Sequence, residues 1–258
     1  MYGKSEDRED YQDTPRAVAA MARDLPDRHY IPTHSHRRGQ LVYGTGGTIT
    51  VTTPEGTWVV PPQRAVWVPP RVPHAMRTSG HVPMRTLYID TRAHPSLPVS
   101  CTVMTVSPLL RELVSAAARI PVDYDESGRD GKLMSLLIHE LVPADVIPLH
   151  LPVPKSDVLE RLCARIIDEP GLNWTLGEWA AWAHLSERTL ARRFQDEFGC
   201  SFARWRQQAR LLAAVQMLGE GKTIATVAGT LGYESPSAFT AMFRKALGKP
   251  PTQYFEES

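Results

Sequence analysis

The chain is poor in cysteine. It has three in 258 residues, Cys101, Cys163 and Cys200, far apart and with no C-x-x-C pair. That spacing excludes a disulfide-built scaffold and a thiolate zinc framework, and it suits a reducing compartment. No run approaches the roughly 18 consecutive apolar residues that a membrane span needs. The opening residues, MYGKSEDREDYQDTP, lack the basic and apolar regions of a signal peptide. The expectation is a cytoplasmic chain with no membrane partner. Excess charge is missing as well: the formal net charge is +1, and from Asp157 onward twelve Lys and Arg meet twelve Asp and Glu. Bulk positive charge therefore gives no argument for nucleic-acid binding. What remains is an ordinary mixture, 42% hydrophobic and 22% charged, long enough for a sizeable core and for two domains.

The strongest positive feature is one motif written twice. LGEWAAWAHLSERTLARRFQDEFGCSFARW, from Leu176, recurs as IATVAGTLGYESPSAFTAMFRKALGKPPTQY, from Ile224. Leu176 and Ala180 match Ile224 and Ala228 at an offset of 48; Ser186, Phe194, Gly199 and Trp205 match Ser235, Phe243, Gly248 and Tyr254 at an offset of 49. The slip falls where a turn absorbs one extra residue. A short helix, a tight turn and a second helix, repeated across a connecting helix, reads as a tandem helix-turn-helix. Thr175 with Glu178 makes a capping box, and Ser186, Ser201, Thr223 and Ser235 stand where N-caps belong.

Within the first copy Leu190, Phe194 and Phe198 form the stripe expected to be buried, and Arg188, Ala191, Arg192 and Gln195 share the opposite face. Arginine is the commonest reader of guanine in the major groove. Arg188 and Arg192 are therefore the candidate base readers, with Ser186, Thr189 and Gln195 beside them and Arg193 turned toward phosphate or an acid. The second copy offers Ser235, Ser237, Ala238, Ala241 and Arg244, a small and nearly neutral face suited to backbone and apolar contacts. Six arginines from Arg188 to Arg210 meet only Asp196 and Glu197 in the same window, so local clustering supplies what net charge does not.

Upstream the texture differs. From Tyr30 to Asp90 short β-rich runs alternate with Gly, Pro and Thr, as in a small all-β barrel or sandwich. Within it stand His34-Ser-His36, then Gln40, and later His74 in PPRVPHAM. Strand alternation puts His34, His36 and Gln40 on one face. Three imidazoles and a carboxamide oxygen suit a divalent transition metal such as Zn, Ni, Fe or Mn. The same residues also suit an organic-effector pocket without metal, or a purely structural role; the three readings stay open. Tyr43 and Trp58, with Trp67 and Tyr88, are candidates for an aromatic pocket wall. After Asp90 two amphipathic helices follow. One has Ser107 as N-cap, Pro108 next, and Leu109, Leu110, Leu113, Val114 and Ala117 on one side; the other carries Leu133, Leu136, Leu137 and Leu141. IPLHLPVPKSD, with Pro148, Pro152 and Pro154, reads as an extended linker.

Two resemblances join these readings. HSH, three residues, Gln40 and then Gly46, followed by a Pro-rich turn into His74, resembles the two motifs of a cupin domain, with Gln40 where metal-binding cupins carry Glu. GYESPSAFTAMFRKALGKPPTQY resembles the signature of the AraC/XylS transcriptional regulators, and the match covers the last 100 or so residues. Together they imply an α+β two-domain protein. An N-terminal cupin-like β-barrel (jelly roll) with following helices precedes an all-α tandem helix-turn-helix domain. The expected segments are a leader, 1–25, helical after Pro15; the sensor barrel, 26–98; helices covering the barrel or forming a dimer interface, 99–147; the linker, 148–155; and the DNA-binding domain, 156–258. The implied function is a bacterial sequence-specific regulator of transcription, not an enzyme, whose front domain senses a small molecule or metal, dimerises, or both. Its partners would be double-stranded DNA, the effector, a second copy, and RNA polymerase if it activates. The alternatives are a metal-dependent cupin enzyme fused to a DNA-binding domain, and a constitutive DNA-binding protein whose barrel only dimerises.

Overall fold

A computed structural model describes residues 5, 7–144 and 149–255. Pro148, expected to open the linker, and the ends of the expected segments at 1–4, 6, 145–147 and 256–258 lie outside the described residues. The chain divides into two compact units. One holds the chain up to Pro54 and from Val60 to 144; the other holds Glu55–Val59 with 149–255. Among the described residues no helix is long and apolar enough to cross a membrane.

The first unit is built on antiparallel strands: β1 Val18–Leu25, β2 Tyr30–His34, β3 Gly39–Val42, β4 Thr48–Thr53, then, past β5 Gly56–Val60, β6 Arg64–Val68, β7 His74–Ser79, β8 Val82–Ile89, β9 Thr102–Thr105 and the two-residue β10 Val142–Pro143. One sheet runs β1-β8-β3-β6-β9-β10, and β4, β7 and β2 lie side by side in that order. The six-stranded sheet has two distinct faces because side chains alternate along a strand. Val18, Ala20, Leu41, Tyr43, Ala65, Trp67, Leu87 and Ile89 point to one side. There they meet Leu110, Leu113, Val114 and Ala117 of α1 (Pro108–Ala117) and Met134, Leu137 and Ile138 of α2 (Arg129–His139). Each Val, Leu, Ile or Met among them contributes about 1.5–3 kcal/mol on leaving water, so this layer is the main core of the unit. Gln40, Thr86, Tyr88, Met21 and Met84 alternate with those residues and point the other way.

Several expectations change here. Val18–Leu25 is not leader or helix but a strand paired along its whole length with β8, from Val18↔Ile89 to Leu25↔Val82. VAAMARDL carries little intrinsic β preference, and the pairing supplies what local propensity does not. Leu109 and Leu136, expected on buried faces, are 48% and 44% exposed. Ser107 does cap α1, accepting from Leu110 N.

In the second unit β11 (His150–Pro152) pairs antiparallel with β5, so part of the expected linker is strand. Trp58 stacks on His150 with ring centroids 4.4 Å apart. The helices follow: α3 Asp157–Asp168, α4 Leu176–Trp182, α5 Glu187–Phe198, α6 Phe202–Gly219, α7 Ile224–Thr230, α8 Pro236–Leu247 and α9 Pro251–Tyr254. Thr175, Ser186, Ser201, Thr223 and Ser235 each accept the backbone N–H three residues on, and the Thr175–Glu178 capping box is complete. Ser156 stands at the N-cap of α3 without a side-chain cap bond; its hydroxyl donates to Glu197 Oε1 at 2.6 Å instead. Gly199 and Gly248, both left-handed, end α5 and α8.

Candidate functional site

The two helix pairs α4–α5 and α7–α8 are the copies of the sequence repeat, and the extra residue sits in the second turn. Four residues separate α4 from α5, and five separate α7 from α8. The left-handed position in those turns is His184 (φ 54°) in the first copy and Gly232 (φ 73°) in the second. Glycine is needed at 232 for a second reason. A Cβ there would lie 2.4 Å from Gly171 O, where the loop before α4 passes close.

Leu190 and Phe194 of α5 are fully buried, Phe194 packing edge-on against Phe198, Phe202 and Trp205. The opposite face of α5 is in solvent: Arg188, Ala191, Arg192 and Gln195 are all exposed. Thr189 is half-buried and shares a hydrogen bond with the Ser186 hydroxyl at 2.9 Å. Arg193 is half-buried on the flank. In α8, Phe239 and Phe243 are buried while Ser237, Ala238, Ala241 and Arg244 are exposed; Ser235 is half-buried as the cap. Two arginines of the sequence cluster are structural. Arg210, only 7% exposed, donates from Nε to Pro170 O at 2.7 Å and from its terminal nitrogen to Leu172 O at 3.2 Å and Asn173 Oδ1 at 2.7 Å. Arg206 donates to Trp174 O at 2.7 Å. Charge clustering in a sequence gives no helix face, and these two residues lie one turn apart on the side of α6 that meets the 170–174 loop.

In the first unit the four upstream candidates come together from both sheets, with His36 in the connection between β2 and β3 and not, as strand alternation implied, on one strand with the others. His34 at the end of β2 faces His74 at the start of β7, across a register irregularity after Ile31. Gln40 of β3 lies between Val68 and Tyr88 of its neighbours. The His34, His36 and His74 rings have centroids 4.4–5.2 Å apart, and their candidate ligand atoms all lie within 4.8 Å of one another. His36, Gln40 and His74 are almost fully buried, at 4%, 1% and 1% exposure. His34 Nδ1 faces Pro32 O at 2.8 Å, and His74 Nδ1 faces Val72 O at 2.9 Å. A backbone carbonyl at Nδ1 fixes the tautomer and leaves Nε2 as a lone pair, the usual arrangement behind a metal-ligating histidine.

The Gln40 amide is oriented by its neighbours. Thr86 donates its one hydroxyl proton to Leu41 O, so it accepts from Gln40 Nε2, and Gln40 Oε1 is turned to His74 Nε2 at 2.9 Å. Once Nδ1 of His74 donates to Val72, two lone pairs face each other there. Among the described residues neither ring nitrogen of His36 has a partner at full hydrogen-bond geometry, and the Gln40 amide is its nearest polar support. Burial holds the rings neutral: it pushes His36 down to about 3, helped by repulsion from His74 and His34, and His74 down to about 4. Burial lowers His34 too. Three neutral imidazoles and an aligned amide oxygen fit a divalent transition metal.

A cavity of about 300 Å³ adjoins the cluster, lined by Met21, Ile31, Met76, Met84 and Tyr88, by His34 and Gln40, and by Asp7, Arg8 and Arg23. Its floor is apolar and its charged groups include the N-terminal turn Arg8–Tyr11, to which sequence reading assigned no chemistry. Arg38 fastens that segment. Its buried guanidinium donates to the carbonyls of Gln12, Thr14 and Arg16 at 3.1, 2.7 and 2.7 Å. Of the aromatic wall expected from sequence, Tyr88 lines this cavity; Tyr43 and Trp58 do not. Tyr43 is three residues from Gln40, an odd number, so it points to the opposite face and into the helix-covered core. Trp58 is taken up by His150.

The profile of an AraC-like ligand binding domain matches residues 17–141, and that of a helix-turn-helix domain matches residues 179–257. The chain is 38% identical over 239 residues to the HTH-type transcriptional regulator NimR of Escherichia coli K12, covering 92% of this chain and 87% of NimR. Among solved structures, ToxT of Vibrio cholerae aligns over 93% of this chain and 98% of its own, at 9% identity and a TM-score of 0.39. The DNA-binding domain of AdpA, solved in complex with a target DNA, aligns over 38% of this chain and 90% of its own, at 32% identity and a TM-score of 0.36.

Proposed function

The chain belongs to the AraC family of transcription regulators, DNA-binding proteins rather than enzymes, with a ligand-binding front domain and a helix-turn-helix back domain, and from that premise we propose how its residues divide the work. Helix α5 reads sequence. Arg188 and Arg192 reach base edges, Gln195, Thr189 and Ser186 flank them, and Arg193 meets phosphate. Helix α8, through Ser235, Ser237, Ala238, Ala241 and Arg244, anchors the second unit with fewer base contacts. The observation that carries this is the pairing of a fully buried Leu190–Phe194 spine with an arginine-bearing exposed face on the same helix. With Arg193 as the phosphate contact on α5 and few on α8, a shallow salt dependence is expected, since its slope counts the phosphates contacted.

The front domain takes its effector at the cavity beside His34, His36, Gln40 and His74, and this cluster is also the candidate site for Zn, Ni, Fe or Mn. We place its working copy in the cytoplasm, as a homodimer through the apolar Leu109 and Leu136 surfaces of α1 and α2, with RNA polymerase as partner if it activates. The functional boundary between sensor and DNA-binding domains is placed near Pro154. The test is a protection footprint of the full chain on operator DNA selected from a random pool. Two protected major-groove segments on one DNA face, about 10 base pairs apart, are expected. Protection of a single groove would contradict the role given to α8.

A further inference from the structure

The His34/His36/His74/Gln40 cluster contains no carboxylate, and this decides what it can hold. Among the described residues the ligand-bearing group is three histidines alone, with Gln40 beside them. A divalent ion there would keep its full double charge, in a place where three of the four side chains are almost fully buried. Burying uncompensated charge is costly, and an ion's own charge dominates the electrostatics of its site.

Among the described residues, the lining of the adjoining cavity does not make up the missing negative charge. Among the described residues that cavity is lined by two arginines, Arg8 and Arg23, and by one carboxylate, Asp7. Asp7 keeps its charge while its Oδ1 accepts from Glu9 N at 3.0 Å, so the two guanidiniums leave the lining one positive charge in excess. Arg8 and His34 line the same cavity, which sets a guanidinium beside the cluster. The same groups that repel a bare cation attract an anion. The cavity opens onto His34 and Gln40, and its walls of Met21, Ile31, Met76, Met84 and Tyr88 suit an apolar body behind a charged head.

We propose that this cluster binds a divalent transition-metal ion tightly only together with a small organic anion, a carboxylate with an apolar body, which enters from the cavity and supplies the negative charge that Gln40 does not. The inference rests on the reading of the cavity as the effector site and adds its chemistry. Metal and carboxylate are one composite effector, and each tightens the other. By linkage the two enhancements must be equal.

The experiment titrates the chelator-treated full chain with Co(II), followed by visible absorption and calorimetry, alone and with saturating acetate or benzoate. In the wild type the anion should tighten Co(II) binding on the order of tenfold to a hundredfold, benzoate more than acetate, and Co(II) should tighten benzoate binding by the same factor. Gln40→Glu should bind Co(II) without anion at least as tightly as the wild type does with it, and the anion effect should fall below about twofold. Co(II) affinity unchanged by either anion in the wild type overturns the proposal, and so does a folded Gln40→Glu protein as anion-dependent as wild type. Benzoate binding that ignores metal leaves the cavity as an effector site and overturns the coupling alone. Failure of the chain to bind Co(II) or either carboxylate under any condition overturns both readings. The wild-type comparison needs no variant to fold.

Discussion

Replacing Arg210 by Ala removes a buried fork that ties together three segments of the DNA-binding domain. The guanidinium makes contacts of 2.7, 3.2 and 2.7 Å with Pro170 O, Leu172 O and Asn173 Oδ1, and it lies 5.9 Å from the ring centre of Tyr233. Asn173 in turn donates to Gly232 O at 2.7 Å. A hydrogen bond from a charged donor contributes about 1.5–3 kcal/mol net. Three at the lower end sum to between 4 and 5 kcal/mol by that figure, roughly, before relaxation. Asn173 is exposed and takes up water when released, so about 3 kcal/mol should remain as the cost of Arg210→Ala. For a domain of this size that is a fall in Tm of roughly 12–24 °C, read by helical circular dichroism. Arg210→Lys keeps a charge but not the fork and should recover less than half of it. The contacts also join the loop before α4 to the turn before α8. The Ala variant, held below its melting point, should therefore lose discrimination between selected operator DNA and the same duplex with one base pair inserted between half-sites. An Ala variant within about 0.5 kcal/mol of wild type would refute the reasoning, because that is the size of an ordinary surface substitution.

Acidification tests the buried histidines in metal-free protein. His36 and His74 titrate near 3 and 4 in the folded chain against 6.5 when unfolded, so the folded state binds fewer protons. Their contribution to stability is full above 6.5 and is lost as pH falls toward those values. One unit below 6.5 each costs about 1.4 kcal/mol, and His36→Gln should flatten the urea-midpoint profile of the front domain between about pH 7 and 5.5. Arg38→Ala should release the N-terminal turn, seen as faster amide exchange over residues 8–14, and weaken effector binding because Asp7 and Arg8 line the cavity; unchanged protection would show the clamp to be idle. Leu109→Glu with Leu136→Glu should convert a dimer to monomers in sedimentation, and a wild-type monomer would contradict the interface.

Much of this was legible in the sequence, for identifiable reasons. The repeat declared itself through caps, glycines and apolar spacing, each a local signal. The histidine cluster was grouped correctly, but not through strand parity: β2 ends at His34, and Gln40 stands on β3, which begins at Gly39 in the other sheet, with His36 in the connection between them. What stayed hidden depended on partners distant in sequence. VAAMARDL becomes strand because β8 is there to pair with. Leu109 and Leu136 sit beside apolar neighbours on their helices, so spacing alone did not say which would turn outward. Arg206 and Arg210 look like DNA-facing charge until the carbonyls of the 170–174 loop are placed against them. Parity, applied three residues further along, predicts that Tyr43 points away from Gln40.

On the division of work proposed above, α5 reads bases through placed arginines and not through bulk charge. The most direct test is the binding of wild type and Arg192→Ala to a library in which every operator position is varied in turn. A loss of about 1–3 kcal/mol confined to one position is expected, with specificity relaxed there and the other preferences intact. Weakening spread evenly over all sequences, with a shallower salt dependence, would make Arg192 a phosphate contact and contradict that division.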